Sequence, residues 1–187
     1  MIIGVTGTIG AGKGTVVEYL KSKGFKDYSS SGLLGELVER EGNPKTREFL
    51  ARMATKLGQE YKGGVVEKNY LEKYQKEMPE HAIFEAIHRQ SEANFIKSIG
   101  GFIIAVDADI ETRYKRISGR KEGTKDDVNF EQFKEDARVE DEGGGDTGRD
   151  NNIRAVISEA DIVLMNEGTI EELDVKTDVA LTELAKR

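Results

Sequence analysis

Residues 7–15 constrain the fold of this chain more than any other stretch. They read GTIGAGKGT and lie between an apolar run at residues 2–6 and a segment at 16–20 whose apolar side chains have helical spacing. A strand, the pattern GxxxxGK and a helix, in that order, are typical of a phosphate-binding loop. Glycines let successive backbone N–H groups turn inward around an anion, and the following helix adds its own N-terminal N–H groups. The sequence therefore predicts a site for a nucleoside triphosphate.

The residues of this loop have different predicted tasks. We expect Lys13 to bring a mobile full charge to the β- and γ-phosphates. Gly14 stands where many phosphate loops carry the Ser or Thr that ligates Mg²⁺ directly. Because Thr15 comes one residue later, we expect the metal to be held mainly through water. The alternative, an ordinary glycine-rich turn with a solvated lysine, leaves the spacing unexplained. The predicted ATP-binding residues are Gly7, Thr8, Ile9, Gly10, Ala11, Gly12, Lys13, Gly14 and Thr15.

Composition narrows the class of protein. The chain has 187 residues, enough for one domain with insertions, and its lack of cysteine excludes disulfides and thiolate metal sites. A formal charge of −7 argues against a nucleic-acid surface, and only two histidines argue against a histidine-based centre. No apolar run approaches the ~20 residues that span a bilayer, and no basic region precedes the first strand. We expect a cytoplasmic protein that binds small nucleotides, with neither nucleic acid nor a membrane as partner; its oligomeric state stays open.

Strand-like runs alternate with helical patterns along the whole chain. This alternation predicts an α/β fold of the P-loop NTPase type, with a five-stranded parallel sheet and helices on both faces. Roughly fifty residues separate the second and third strands, whereas a crossover needs only about a dozen. Residues 30–77 are therefore predicted to form an inserted helical subdomain, in which Asn43 and Pro44 begin a helix as N-cap and first residue. Asp150 is expected to cap a later, short helix. The predicted strands are 2–6, 25–28, 81–85, 102–106 and 162–165.

Three short segments follow one another in an order known from a family of kinases. Residues 10–15 read GAGKGT, residues 25–34 read FKDYSSSGLL, and residues 85–89 read EAIHR. They resemble, in turn, the GxGKGT loop, the Y-x-H-I-S-T-G-D-L-L-R segment and the D-G-F-P-R segment of adenylate kinase and related nucleoside monophosphate kinases. The loop is a specific motif, and the other two matches gain weight from their order.

Two further segments extend the resemblance over nearly the whole chain. VDAD at residues 106–109 resembles the strand that leads into the lid of these kinases. The same VDAD and the ADIVLMNEGT at residues 160–169 also resemble dephospho-CoA kinase. The resemblance implies an ATP- and magnesium-dependent kinase. It also implies that residues 30–77 bind the acceptor and that residues 120–149 form a lid.

The resemblance also assigns roles to single residues. Phosphoryl transfer asks a protein for alignment, exclusion of water and positive charge rather than for covalent chemistry. Glu85, at the end of a strand, is expected to orient waters around Mg²⁺, so Thr15 and Glu85 are the implied metal residues. The implied catalytic residues are Lys13, Arg89, Arg116, Arg120 and Arg138. The implied acceptor-binding residues are Ser29, Ser31, Arg47 and Arg89.

The acceptor is the least determined part of this prediction. Gly32 and Gly35 stand where adenylate kinases have an Asp and the Arg that holds the acceptor phosphate. We expect the acceptor to be a nucleoside monophosphate, with a deoxynucleotide or dephospho-CoA as alternatives. Transfer to dephospho-CoA would need a general base, for which Asp27 and Glu85 are candidates. A nucleotide switch that hydrolyses ATP without an acceptor is an alternative of another class. The candidates to replace the absent Arg are Arg40, Arg47 and Arg52.

Overall fold

The strands of this protein form the predicted sheet. The computed structural model describes residues 1–119, 129–142 and 152–187. In this part of the chain the strands are β1 (Ile2–Gly7), β2 (Lys26–Ser29), β3 (Ala82–Glu85), β4 (Phe102–Asp107) and β5 (Ile162–Met165). All five are parallel, in the order β2-β3-β1-β4-β5. The five-stranded parallel sheet predicted from sequence is confirmed, with each strand end within a residue of its predicted place.

The order of the strands places a ligand crevice at β1. This strand lies at the centre of the sheet, where Val5 is paired with Glu85 of β3 on one side and with Ile104 of β4 on the other. The chain runs from β1 to one edge for β2 and β3, then crosses to the other side for β4 and β5. Open parallel sheets bind ligands outside the carboxyl ends of their strands, where the strand order reverses. The loop after β1 lies at that position.

Helices cover both faces of the sheet. On one face, α1 (Lys13–Ser22) and α10 (Ile170–Leu184) pack their apolar stripes, including Leu20 and Leu173, on β-strand residues such as Ile3. On the other face, α6 (Gln90–Ser98) and α9 (Ile153–Ser158) contribute Ile96 and Val156 to a second cluster. The helices after β4 are α7 (Ile110–Gly119) and α8 (Phe130–Glu142). Among the helices of the described ranges, none is long and apolar enough to cross a membrane.

The segment between β2 and β3 is helical. It contains α2 (Ser30–Arg40), α3 (Arg47–Glu60), α4 (Gly64–Asn69), a π-helical turn (Tyr70–Tyr74) and α5 (Gln75–Glu77). These helices share a small core of their own, in which Leu33 and Val38 of α2 pack against Met53 and Leu57 of α3. The helices therefore form a unit that stands beside the sheet without adding a strand to it.

Two predicted helix starts need correction. The helix expected at Asn43 and Pro44 begins instead at Arg47, because the Thr46 side chain accepts the N–H of Phe49 and so acts as the N-cap. The local signals of an Asn-Pro pair and of a Thr compete here, and the Thr cap prevails. Asp150, the expected cap of the short helix α9, lies outside the described residues, and the N-cap of α9 is Asn152.

Candidate active site

The phosphate-binding loop joins β1 to α1 at the carboxyl edge of the sheet. Gly7 has a φ of 144° and Gly12 a φ of 107°, values that side-chain-bearing residues rarely adopt. A Cβ at Gly7 would overlap the carbonyl oxygen of Val106 in β4, so only glycine lets the chain leave β1 so close to its neighbour. Gly12 is the N-cap of α1, and the helix begins directly at Lys13. The unpaired N–H groups at the start of α1 therefore adjoin the loop, an arrangement that binds anions.

Lys13 folds back over this loop. Its Nζ donates to the carbonyl oxygens of Gly7 at 2.7 Å and Thr8 at 3.1 Å. Phosphate oxygens accept stronger, charge-assisted hydrogen bonds than neutral carbonyls do. The amine is therefore placed to exchange its carbonyl partners for a bound phosphate.

Two side chains that the sequence analysis did not select hold the loop from outside. The hydroxyl of Thr8 donates to Oδ1 of Asp107, at the end of β4, over 2.7 Å. The amide of Asn166 donates to the carbonyl oxygen of Ala11 over 2.7 Å. Asn166 directly follows β5, so attention to the carboxyl end of this fifth strand would have found it. Both contacts are buried, and they fix the loop to its neighbouring strands.

A partly buried charge network continues from Asp107 into the helices after β4. Arg154 of α9 donates to Oδ2 of Asp107 at 2.6 Å and to Oδ2 of Asp141, on α8, at 3.1 Å. Arg113 of α7 lies 3.6 Å from the same Asp141 oxygen. Burial raises the pKa of Asp141, and the two guanidinium groups oppose that effect. The sequence carries no signal for Arg154, because it reaches Asp107 only through the folding of elements 47 residues apart.

A cavity of about 710 Å³ lies between α2, α3 and the segment that follows β3. Apolar side chains of α2 and α3, such as Leu34 and Leu50, form part of its wall. Three of the four predicted acceptor residues line it together, although they are distant in sequence: Ser31, Arg47 and Arg89. The other charged residues of the wall are Glu48, Arg52, Lys56 and Glu92.

Arg47 and Arg89 both line the cavity. Arg47 is the first residue of α3, where the helix dipole disfavours a cation. The backbone at Arg89 is fixed, because Glu92 accepts the N–H groups of His88 at 3.0 Å and Arg89 at 3.2 Å. Burial raises the pKa of Glu92, and the charge of the Arg89 guanidinium acts against that effect. Two guanidinium groups thus line one cavity, an arrangement that favours an anionic ligand.

The structure distinguishes among the three arginines considered for the acceptor. Arg40 is turned away, because its guanidinium pairs with Glu72 at 3.2 Å and with Glu36 at 3.7 Å. Arg47 and Arg52 both line the cavity. The geometry therefore leaves these two as candidates and removes Arg40.

The serines at the start of α2 have structural tasks as well. Ser29 is the N-cap of α2, with its Oγ 3.3 Å from the N–H of Gly32 and 3.0 Å from Oγ of Ser31. Ser30 donates to the carbonyl oxygen of Glu85 at 3.1 Å and so joins α2 to the end of β3. Ser31 lines the cavity, whereas Ser29, which was also predicted to bind the acceptor, is not part of its wall.

Thr15 and Glu85 are the residues near the loop predicted to position water around a Mg²⁺ that arrives with a nucleotide. Thr15 lies in the first turn of α1, and Glu85 ends the strand next to β1. In residues 1–119, 129–142 and 152–187, no group of three or more His, Cys, Asp or Glu side chains is placed to hold a metal ion. Mg²⁺ commonly keeps several waters and takes one or two carboxylates together with phosphate oxygens. A hydroxyl and a carboxylate of this kind fit that requirement.

The three arginines predicted for the lid side are in different situations. Arg116 donates to the carbonyl oxygen of Asn166 at 2.9 Å, and Asn166 in turn holds the phosphate-binding loop. Arg138 lies on an exposed face of α8 and pairs with Glu135 at 2.7 Å. Arg120 lies outside the described residues, as does most of the predicted lid. Arg116 is thus the only one of these arginines that the described structure connects to the loop.

Ala86 carries backbone strain at the end of β3. Its φ of 61° is in the left-handed region, which costs a residue with a Cβ about 1–2 kcal/mol. Glycine occupies this position in the D-G-F-P-R motif that residues 85–89 resemble. We expect Ala86→Gly to stabilise the fold by about 0.5–1 kcal/mol in urea unfolding, the relief of strain being partly offset by unfolded-state entropy. Ala93→Gly, in helix α6, is the control and should destabilise the fold. A loss of stability in both variants would contradict the strain at Ala86.

Asp27 should make stability depend on pH. Its Oδ1 is buried and has no hydrogen-bond partner among the described residues. Burial, with the charge of Glu85 as a smaller cause, raises its pKa to about 6. The unfolded chain, with a carboxyl pKa near 4, ionises first as pH rises, so this group costs stability progressively between about pH 4 and pH 6. We expect Asp27→Asn to change little at about pH 4 and to stabilise by about 1 kcal/mol near pH 7.5, allowing for solvent screening. Equal effects in urea unfolding at both pH values would contradict this.

The sequence of this chain is similar to those of known protein families. The model of the AAA_18 family, described as an AAA domain, matches residues 3–142. A UPF0200 protein of Sulfurisphaera tokodaii is 34% identical over 189 residues, with 100% of this chain and 96% of the relative covered. The dephospho-CoA kinase of Corynebacterium glutamicum is 24% identical over 218 residues, with 99% and 98% covered.

The fold also recurs among solved kinase structures. Shikimate kinase from Aquifex aeolicus superposes with a TM-score of 0.55 at 18% identity, over 98% of its chain and 99% of this one. At that identity the likeness concerns the fold alone. The match over most of the chain shows that this protein belongs to the AAA_18 family, and its similarity to the Sulfurisphaera tokodaii protein shows that it belongs with the UPF0200 proteins.

Proposed function

We propose that this protein is a kinase that transfers the γ-phosphoryl group of MgATP to a small, nucleotide-like acceptor. One observation carries the proposal: a phosphate-binding loop and a cavity lined by two arginines, Arg47 and Arg89, lie at the same edge of the sheet. The loop follows β1 and the cavity adjoins the end of β3, and these strands are neighbours. A donor on the loop and an anionic acceptor in the cavity would therefore meet.

Each part of the site has a role in this reaction. Lys13 and the N–H groups of α1 would hold the β- and γ-phosphates, while Thr15 and Glu85 would position water around the magnesium ion that accompanies ATP. Arg89 would hold an anionic group of the acceptor with its planar fork. The helices at residues 30–77 would form the acceptor subdomain. Residues 120–149, with Arg116 at their base, would close as a lid and exclude water.

A nucleoside monophosphate is the first acceptor to test, because its phosphate would be attracted by Arg47 and Arg89 in the wall of one cavity. Dephospho-CoA is the second, supported by the similarity of the chain to the Corynebacterium glutamicum enzyme. A hydroxyl acceptor needs a general base. Glu85 is better placed for that task than Asp27. Glu85 ends β3, next to the cavity residue Ala86, whereas Asp27 lies two residues before the carboxyl end of β2.

The test is the release of ADP from MgATP in the presence of AMP, CMP, UMP, GMP, the deoxynucleotides or dephospho-CoA. We expect one acceptor to raise ADP release by orders of magnitude, and ³¹P NMR of its product would show whether a phosphate or a hydroxyl was phosphorylated. Lys13→Ala serves as the blank. Slow hydrolysis that no acceptor stimulates would overturn the kinase and support a nucleotide switch.

A further inference from the structure

Gly58 is an unexpected residue in the last turns of helix α3. Glycine in a helix costs about 1 kcal/mol relative to alanine. The backbone at Gly58 is not left-handed, unlike that at Gly64 only a few residues later. Conformational freedom therefore does not account for a glycine here, and the position is exposed, so burial does not account for it either.

The space that Gly58 leaves is occupied by Arg89. A Cβ at Gly58 would overlap Nη1 of Arg89 and would lie 3.7 Å from its Cζ. No other heavy atom outside the helix's own backbone and the adjacent residues comes within 4 Å of that Cβ position. The guanidinium thus lies on bare helix backbone, while the backbone of Arg89 is held separately by Glu92.

We propose that Gly58 is a positioning residue for the acceptor: its missing side chain lets the Arg89 guanidinium lie against α3 and face the cavity. The inference rests on the proposed kinase function for its kinetic consequence, although not for its structural one. The residues one and two turns before Gly58 on the same face, Ala54 and Ala51, also line the cavity. This face of α3 therefore continues from the Arg89 guanidinium into the cavity wall.

The Gly58→Ala variant separates this role from a purely structural one. The overlap involves the far end of a flexible side chain, so the fold can absorb the new methyl by moving Arg89. We expect stability in urea to stay the same or to rise, because alanine is the better helix former. The KM for the acceptor should rise on the order of ten- to a hundredfold, since small displacements of a binding group are costly. The KM for ATP should not change.

Gly35→Ala is the matched control. Gly35 also lies inside a helix, and its Cβ would be 3.2 Å from Cε of Lys45, a mobile side chain outside the cavity wall. It should leave both KM values unchanged. In an Arg89→Ala background, Gly58→Ala should have no further effect on the acceptor, because the group that it displaces is gone.

A second measurement needs no acceptor. The side-chain N–H signal of Arg89 in ¹⁵N NMR, assigned by its loss in Arg89→Lys, should move in Gly58→Ala and stay in place in Gly35→Ala. A signal that does not move, or an unchanged acceptor KM in Gly58→Ala where Arg89→Ala raises it, would overturn the inference. If the signal moves and no compound of the acceptor panel is phosphorylated, the placement of Arg89 stands and the proposed kinase function fails.

Discussion

Replacing Lys13 by alanine is expected to reduce acceptor-dependent ADP release on the order of a hundred- to a thousandfold, the loss typical of removing one preorganised charge or donor from a transition state. Lys13 Nζ donates to carbonyl oxygens of its own loop, Gly7 at 2.7 Å and Thr8 at 3.1 Å. Because these hydrogen bonds stay within one loop, we expect the loss of the Lys13 side chain to change the free energy of unfolding little. The deficit should therefore appear in turnover and not in stability. Steady-state kinetics and urea unfolding of the same preparation measure the two effects.

Lys21 provides the control on the same helix. It is exposed and pairs with Glu18, one turn earlier, at 2.7 Å. Lys21→Ala should leave ADP release unchanged, because an exposed pair of this kind contributes little. Lys13→Arg should be nearly as inactive as the alanine variant, since a planar fork does not replace a compact ammonium group in a loop of this size. Normal turnover in Lys13→Ala would contradict the assignment of the loop.

The phosphate-binding loop was predictable because its signal is local. Residues 2–20 contain the strand, the glycines at positions that require them and the helix start, so neighbouring residues determine both the conformation and the chemistry. The five strands were predictable for the same reason. The helix start at Arg47 was not, because Asn43-Pro44 and Thr46 offer competing local signals and the sequence does not rank them.

The acceptor side of the site depends on packing, which the sequence indicates only in part. Resemblance selected Arg89, and Arg47 was one of three arginines that nothing in the sequence distinguished. The folding of α3 against the end of β3 places both on one cavity and turns Arg40 toward Glu36 and Glu72. Arg154 could not have been predicted, because no local sequence pattern indicates its contact with Asp107.

Replacing Arg89 by alanine is expected to lower kcat/KM for the acceptor on the order of a hundredfold or more, because losing one partner of a desolvated charge pair costs about 2–5 kcal/mol. The KM for ATP should be unchanged, since Arg89 is part of the cavity wall and the proposed site of the triphosphate is the loop after β1. Arg47→Ala should also lower kcat/KM for the acceptor. Arg40→Ala should leave kcat/KM for the acceptor unchanged, because it removes a guanidinium that is already paired with Glu72 outside the cavity.

Addition of guanidinium ion gives the sharpest form of this test. The ion should partly restore acceptor-dependent turnover to Arg89→Ala, because the cavity left by the side chain can admit a cation of the same shape, and it should not restore Lys13→Ala. A nucleotide switch predicts a different pattern, in which Arg89→Ala hydrolyses ATP as the unmodified protein does and guanidinium has no effect. Rescue at Arg89 alone would therefore identify the cavity as the place where the acceptor's anionic group is held during transfer.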